Sequence, residues 1–138
     1  MNNRYVLDAC SIIAYLMKED GADNIEALFD DAIEEKNELF MHKINLYEVF
    51  YDTWKSQSEA TAINIIESIK KLPVAIIDMI SDELMIEAAC LKNKYHVSVA
   101  DSFALATARL YGACLVTSDH HDFDSVDIES EIVFLWIR

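Results

Sequence analysis

Residues 98–124 constrain the fold more than any other stretch. Ser98 has the chemistry of a helix N-cap, and Asp101 stands three residues on, the capping-box spacing. Ala100, Ala104 and Ala108 repeat at i, i+4 and i+8, a stripe small enough to press against a sheet. Gly112 follows Arg109 and fits the helix C-terminus. Ala113–Thr117 is then an apolar run long enough only for a buried strand. A helix that feeds a buried strand in this way points to a parallel α/β sheet. Functional groups in such sheets gather beyond the carboxyl ends of the strands. Asp119, just past the strand, belongs at that edge. So does Asp101, because a helix that leaves a strand starts there.

The rest of the chain repeats the theme. Arg4–Leu7 reads as a first strand ending at Asp8, followed by a helix opening at Cys10 or Ser11. A helix from Asp23 to Lys36 shows Ile25, Leu28, Phe29, Ala32 and Ile33 on one face. Glu38–His42 is a second strand. Asn45 reads as the next N-cap, with Glu48 three residues later, and the helix runs from Leu46 to Trp54. A further helix stops at Pro73, Val74–Ile77 is a third strand, and Ser81 caps a helix over 82–93. After Asp124 a loop is expected, then a last strand over 132–137. The pattern is a three-layer α/β domain spanning residues 1–138, with a mostly parallel sheet and the first and fourth strands adjacent near its centre.

Four acids therefore converge on one edge: Asp8, Glu48, Asp101 and Asp119. Like charges brought together raise one another's pKa, and a cation relieves the repulsion. All-oxygen donors with few histidines suit Mg²⁺ or Mn²⁺ better than zinc. Such ions bind a phosphodiester oxygen, activate a water and stabilise the leaving oxygen. No Ser-His-Asp or Cys-His arrangement competes. Each acid also has a structural role open to it: capping for Asp8, Glu48 and Asp101, a turn for Asp119. His120, His121, Asp122 and Asp124 follow as a dense polar cluster, read either as a solvated loop or as a source of one extra ligand in Asp122 or Asp124.

Composition sets limits. The net charge of −14 argues against a bulk electrostatic grip on nucleic acid and suits a basic protein partner. Any contact with nucleic acid then falls to local cations, foremost Lys43 just before Asn45, with Arg4 and Lys18 behind it. No apolar run approaches the ~18 residues of a membrane span, and residues 1–8 lack a signal-peptide pattern. A soluble, cytoplasmic protein is expected. Cys10, Cys90 and Cys114 lie in apolar sequence without CxxC spacing, which predicts reduced, buried thiols.

These residues resemble the PIN-domain nucleases, and among them the VapC-type toxins of toxin–antitoxin pairs. Val6-Leu7-Asp8-Ala9-Cys10-Ser11 is similar to the family's opening strand, Asp and Ser/Thr. Asn45-Leu46-Tyr47-Glu48 is similar to its helix-borne glutamate, residues 100–108 to its Asp-Ala/Ser-x-x-Ala helix, and Leu115-Val116-Thr117-Ser118-Asp119 to its Thr-x-Asp strand end. The resemblance implies a Mg²⁺- or Mn²⁺-dependent endoribonuclease with Asp8, Glu48, Asp101 and Asp119 as metal ligands and Ser11 and Thr117 as supporting hydroxyls. It further implies a homodimer and a small antitoxin whose C-terminal segment covers the site. One departure stands out: many such toxins have an acid two residues after the last motif aspartate, whereas here His120 and His121 intervene and Asp122-Phe123 come one residue later. Two alternatives lie within the family: a catalytically inert protein-binding module, and a non-toxin nuclease of RNA processing. A phosphoacceptor receiver domain wants an acidic neighbour beside Asp8 and a late strand-end lysine, and neither is present.

Overall fold

The structure, a computed structural model, describes residues 3–138. Five short strands form one all-parallel sheet: β1 (Arg4–Leu7), β2 (Glu38–His42), β3 (Ala75–Ile77), β4 (Cys114–Thr117) and β5 (Phe134–Trp136). Seven helices are seen among the described residues: α1 (Ala9–Leu16), α2 (Ala22–Ile33), α3 (Lys43–Ser56), α4 (Glu59–Lys70), α5 (Asp82–Lys94), α6 (Val99–Leu110) and α7 (His120–Glu129).

Strand order is β3-β2-β1-β4-β5. The chain moves outward from β1 to β3, then crosses back to place β4 on the other side of β1. That reversal opens a crevice between the carboxyl ends of β1 and β4, the place where open parallel sheets bind ligands. The expected adjacency of the first and fourth strands is thus met, with Val6 opposite Leu115 and Leu7 opposite Val116.

Alternation along the strands divides the core in two. Val6 and Leu115 face one side, packed under Leu84, Leu91, Ala104, Ala108, Phe123 and Val126 of α5, α6 and α7. Leu7, Met41 and Val116 face the other, under Ile12, Ile25, Phe29, Val49 and Ile69 of α1 to α4. Of the alanine stripe of α6, Ala104 and Ala108 are buried as expected, whereas Ala100, in the first turn, is half-buried. Layers of helices on both faces leave the strand ends as the open edge.

Several expectations need correction. Residues 120–129 form α7 rather than a loop. Phe123 and Val126, one helical turn apart, are both fully buried and anchor it, although charge dominates its other positions. Helix α3 starts at Lys43, capped by His42 and not by Asn45, because the His42 ring accepts the Ile44 N–H at 3.0 Å. Ile33 ends α2 and is 70 % exposed instead of buried. Cys114 is buried as expected, but Cys10 and Cys90 are exposed, since each lies on the outer side of its helix.

Candidate active site

Asp8 stands where β1 meets α1. It caps that helix, Oδ1 accepting the Ser11 N–H at 2.8 Å, while Ser11 Oγ donates to the Asp8 carbonyl at 3.0 Å. Its Oδ2 accepts from the Thr117 hydroxyl at 2.5 Å. Thr117 Oγ1 in turn accepts the Asp119 N–H at 3.0 Å. One hydroxyl thus ties the ends of β1 and β4 together. Burial lifts the Asp8 carboxyl to about 6, against the lowering effect of the Thr117 and Ser11 hydrogen bonds.

Asp101 is the third residue of α6 and completes the expected capping box. Ser98 Oγ accepts the Asp101 N–H at 3.1 Å, and the carboxylate receives the Ser98 N–H at 3.4 Å. Asp119 caps α7, accepting the Asp122 N–H at 3.0 Å. These caps carry Asp101, Asp119 and Asp122 to one point, where their ligand oxygens lie within 4.8 Å of one another. Burial raises Asp101 to about 7, with the Asp122 carboxyl adding to the effect. Asp119 is also raised, by burial first, with the Asp122 N–H acting against the shift and the Asp122 carboxyl adding to it.

Glu48 and Asp8 stand outside that closest trio. Both still share its field. Glu48 is lifted to about 6, first by burial and then by the charges of Asp52, Asp8, Asp119 and Asp122. Asp52 stands four residues after Glu48 on the same helix and adds its charge to that side of the site. Cys10 is exposed as a residue, but its sulfur is partly desolvated beside the same negative charges and is pushed up to about 12, by that desolvation first and then by Asp8. It remains a thiol rather than a nucleophile.

Asp122 is closer to the acidic centre than a loop reading allowed, because α7 turns it inward one helical turn after Asp119. Asp124 goes elsewhere: it meets His120 Nδ1 at 2.7 Å. The other ring nitrogen of His120 faces the Arg138 carbonyl at 2.8 Å, and the ring stacks on Trp136 with centroids 3.9 Å apart. Two acceptors require two N–H donors, so the ring is imidazolium, and the Asp124 bond holds its pKa above the ordinary value. His121 is exposed. Lys43 is exposed in the first turn of α3.

His42 escaped sequence reasoning, since histidine is not a usual cap. It is 1 % exposed, with Nδ1 accepting from Ile44 and Nε2 directed at the Met79 carbonyl at 3.1 Å. Those partners assign the neutral tautomer, and burial lowers its pKa in keeping. A groove of about 340 Å³, lined by Ile44, Tyr47, Glu48, Tyr51, Val99 and Ala100 among others, opens beside Glu48. A larger cavity of about 670 Å³ lies between α1 and α2 and contains none of the clustered acids.

The donor set is uniform: carboxylate oxygens, crowded and partly desolvated. That fits a hard divalent cation, and Asp101, Asp119 and Asp122 are spaced to share one. Thr117 supports the cluster from beneath. Thr117→Val removes a donor to Asp8 and an acceptor for Asp119 while keeping the shape. Loss of about 1–3 kcal/mol of unfolding free energy is expected in denaturant titration. A variant as stable as wild type contradicts the role given to this hydroxyl.

An all-parallel α/β sheet with carboxylates gathered at its switch point defines a class of acidic-centred α/β domains. The profile of the PIN domain matches residues 5–129, so the chain belongs to the PIN domain family. No curated protein sequence matches it. Among solved structures, VapBC-1 from nontypeable Haemophilus influenzae contains a chain 20 % identical, with a TM-score of 0.70 and coverage of 97 % of this chain and 98 % of that one. VapBC2 from Rickettsia felis, solved on a DNA fragment from its promoter, gives 19 % identity, a TM-score of 0.71 and coverage of 96 % and 97 %. VapC20 from Mycobacterium tuberculosis, described as a Sarcin-Ricin loop cleaving toxin, gives 15 %, 0.64, and 88 % and 94 %. At such identities the likeness is one of fold.

Proposed function

We propose that this protein is a Mg²⁺- or Mn²⁺-dependent endoribonuclease, the toxin of a toxin–antitoxin pair, acting as a single domain. The observation that carries the reading is the convergence of Asp101, Asp119 and Asp122 within 4.8 Å, with Asp8 and Glu48 inside the same field. Asp8, Glu48, Asp101 and Asp119 are the proposed ligands, and Asp122 joins them. When bound, one or two divalent ions supply charge neutralisation at the phosphodiester and a water of lowered pKa.

The protein's own residues prepare that chemistry. Ser11 and Thr117 hold the Asp8 carboxylate in one orientation. The caps of α6 and α7 fix Asp101 and Asp119 at helix starts, where backbone dipoles favour their charged forms. Burial opposes this and raises the carboxyls, so that a bound cation would favour their charged forms. Membership of the PIN domain family supports phosphodiester hydrolysis, and likeness in fold to VapBC assemblies and to an RNA-cleaving toxin supports RNA as substrate and a small antitoxin as partner. A homodimer and a cytoplasmic setting complete the proposal.

Lys43 is the proposed RNA contact, an exposed cation at the same sheet edge. Lys43→Ala is expected to weaken RNA binding several-fold and to flatten its salt dependence by about one ion. An unchanged affinity removes Lys43 from the site. The function itself is tested by incubating a mixed RNA pool with the protein in Mg²⁺, Mn²⁺ or EDTA and mapping the ends. Cuts present with either metal and absent in EDTA support the reading. A pool left intact under all three conditions, with no uptake of Mn²⁺ in calorimetry, rejects it in favour of an inert binding module.

A further inference from the structure

The α3–α6 junction contains a polar group that the fold itself does not need. Asn45 lies on α3, is 1 % exposed, and donates from Nδ2 to the Ala100 carbonyl at 3.1 Å. Its Oδ1 is buried and finds no hydrogen-bond partner among the described residues. Reversing the amide does not help, because Oδ1 would then face a carbonyl oxygen. An orphaned acceptor costs stability, whereas an apolar side chain of similar size would fill the same space without that cost. The Ala100 carbonyl does not depend on Asn45 either, since it lies within α6 and is an acceptor in the helix ladder.

The position of this bond is informative. Glu48 follows Asn45 by three residues on α3, and so shares its face of the helix. Asp101 follows Ala100 directly on α6. The two helices carry proposed ligands on separate segments, and Asn45 is the polar cross-link between them at the level of those ligands. His42 fixes only the start of α3, through its bond to Ile44. Small displacements matter here, because a divalent site tolerates little error in the placement of its oxygens.

We propose that Asn45 is a positioning residue, locking the helix that bears Glu48 onto the start of the helix that bears Asp101 and thereby setting the divalent-ion affinity of the site. The inference rests on the nuclease reading above. It explains why a residue that is poor for stability occupies the junction.

The test pairs Asn45→Leu with Asn45→Ala, measuring Mn²⁺ affinity by calorimetry and the metal-free melting temperature. Both variants are expected to bind Mn²⁺ ~10–100-fold more weakly. Their stabilities should diverge: the leucine variant melts at or above wild type, having lost the orphan, while the alanine variant melts lower, having opened a cavity. Ile69→Val, a small cavity in the core under α4, is the control that melts lower at wild-type affinity. Affinity retained in both Asn45 variants overturns the inference. So does an affinity loss that merely follows melting temperature across all three. A wild-type chain that takes up no Mn²⁺ overturns the nuclease reading and this inference with it, whereas binding by wild type and both variants alike overturns the inference alone.

Discussion

Asp8→Asn and Asp101→Asn each abolish metal-dependent RNA cleavage, with rates falling ~10³-fold or more, the equivalent of the several kcal/mol that a correctly held ion contributes. The two substitutions spare the scaffold. At position 101 an amide oxygen still serves the Ser98 N–H, so the cap of α6 survives. At position 8 one oxygen still accepts from Ser11, and the Thr117 hydroxyl rotates to accept where it had donated. Each change also removes a carboxylate from a site where carboxylates repel. In metal-free buffer at about pH 8 both variants should therefore melt no lower than wild type. Cleavage assays and thermal melts on the same preparations check the pair of effects. Full activity in either variant would place the chemistry elsewhere. Lost activity with a lowered melting temperature would show that these acids serve the fold and not the reaction.

Metal-free protein loses stability as pH rises from about 5 to about 8, and divalent ions restore it mainly at the upper end. The sign follows from the directions of the shifts. Asp8 goes from 3.8 to about 6, Glu48 from 4.5 to about 6, and Asp101 from 3.8 to about 7 on folding. The folded state therefore binds more protons than the unfolded chain within this window. The favourable contribution is full below the unfolded values and is lost as pH climbs through the folded ones. His120 adds a smaller effect of the same sign, being cationic in the fold. A divalent ion reverses the balance by stabilising the charged carboxylates and expelling their protons. At a hundredfold excess over Kd it adds ~2.7 kcal/mol, a shift of several degrees in Tm. Melting curves at both pH values, with Mn²⁺ or EDTA, give the four numbers needed. An equal Mn²⁺ shift at both pH values would mean that the ion binds away from the buried acids.

Much of this arrangement was legible in the sequence because the strands are short, apolar and punctuated by acids. Asp8 and Asp119 could be placed at one edge from strand ends alone, and Asp101 from its capping box with Ser98. The misses have physical causes. Helix α7 has just two fully buried side chains, Phe123 and Val126, in a run dominated by charge, so its period was too faint to read and Asp122 stayed in a supposed loop. Asn45 has ideal cap chemistry, but the buried ring of His42 had already supplied the acceptor three residues earlier. Asn45 was thereby carried into the helix interior and against α6. Cys10 and Cys90 show the limit of local context, since apolar neighbours in sequence do not decide which side of a helix faces water.

The order of the strands has a consequence for how the protein comes into being. The hydroxyl of Thr117 reaches a carboxylate 109 positions earlier in the chain. Asp8 and Glu48 leave the ribosome long before Asp101, Asp119 and Asp122 exist, and local bonds such as that between Asp8 and the Ser11 N–H cannot bring them to those partners. The centre forms only when β4 slots beside β1 and completes the crossing, a late and non-local event. No unfinished copy of the proposed nuclease can cut RNA. By the same logic, a chain severed between β3 and α5 yields two inert fragments, and the five acids meet again only if the two halves reassemble.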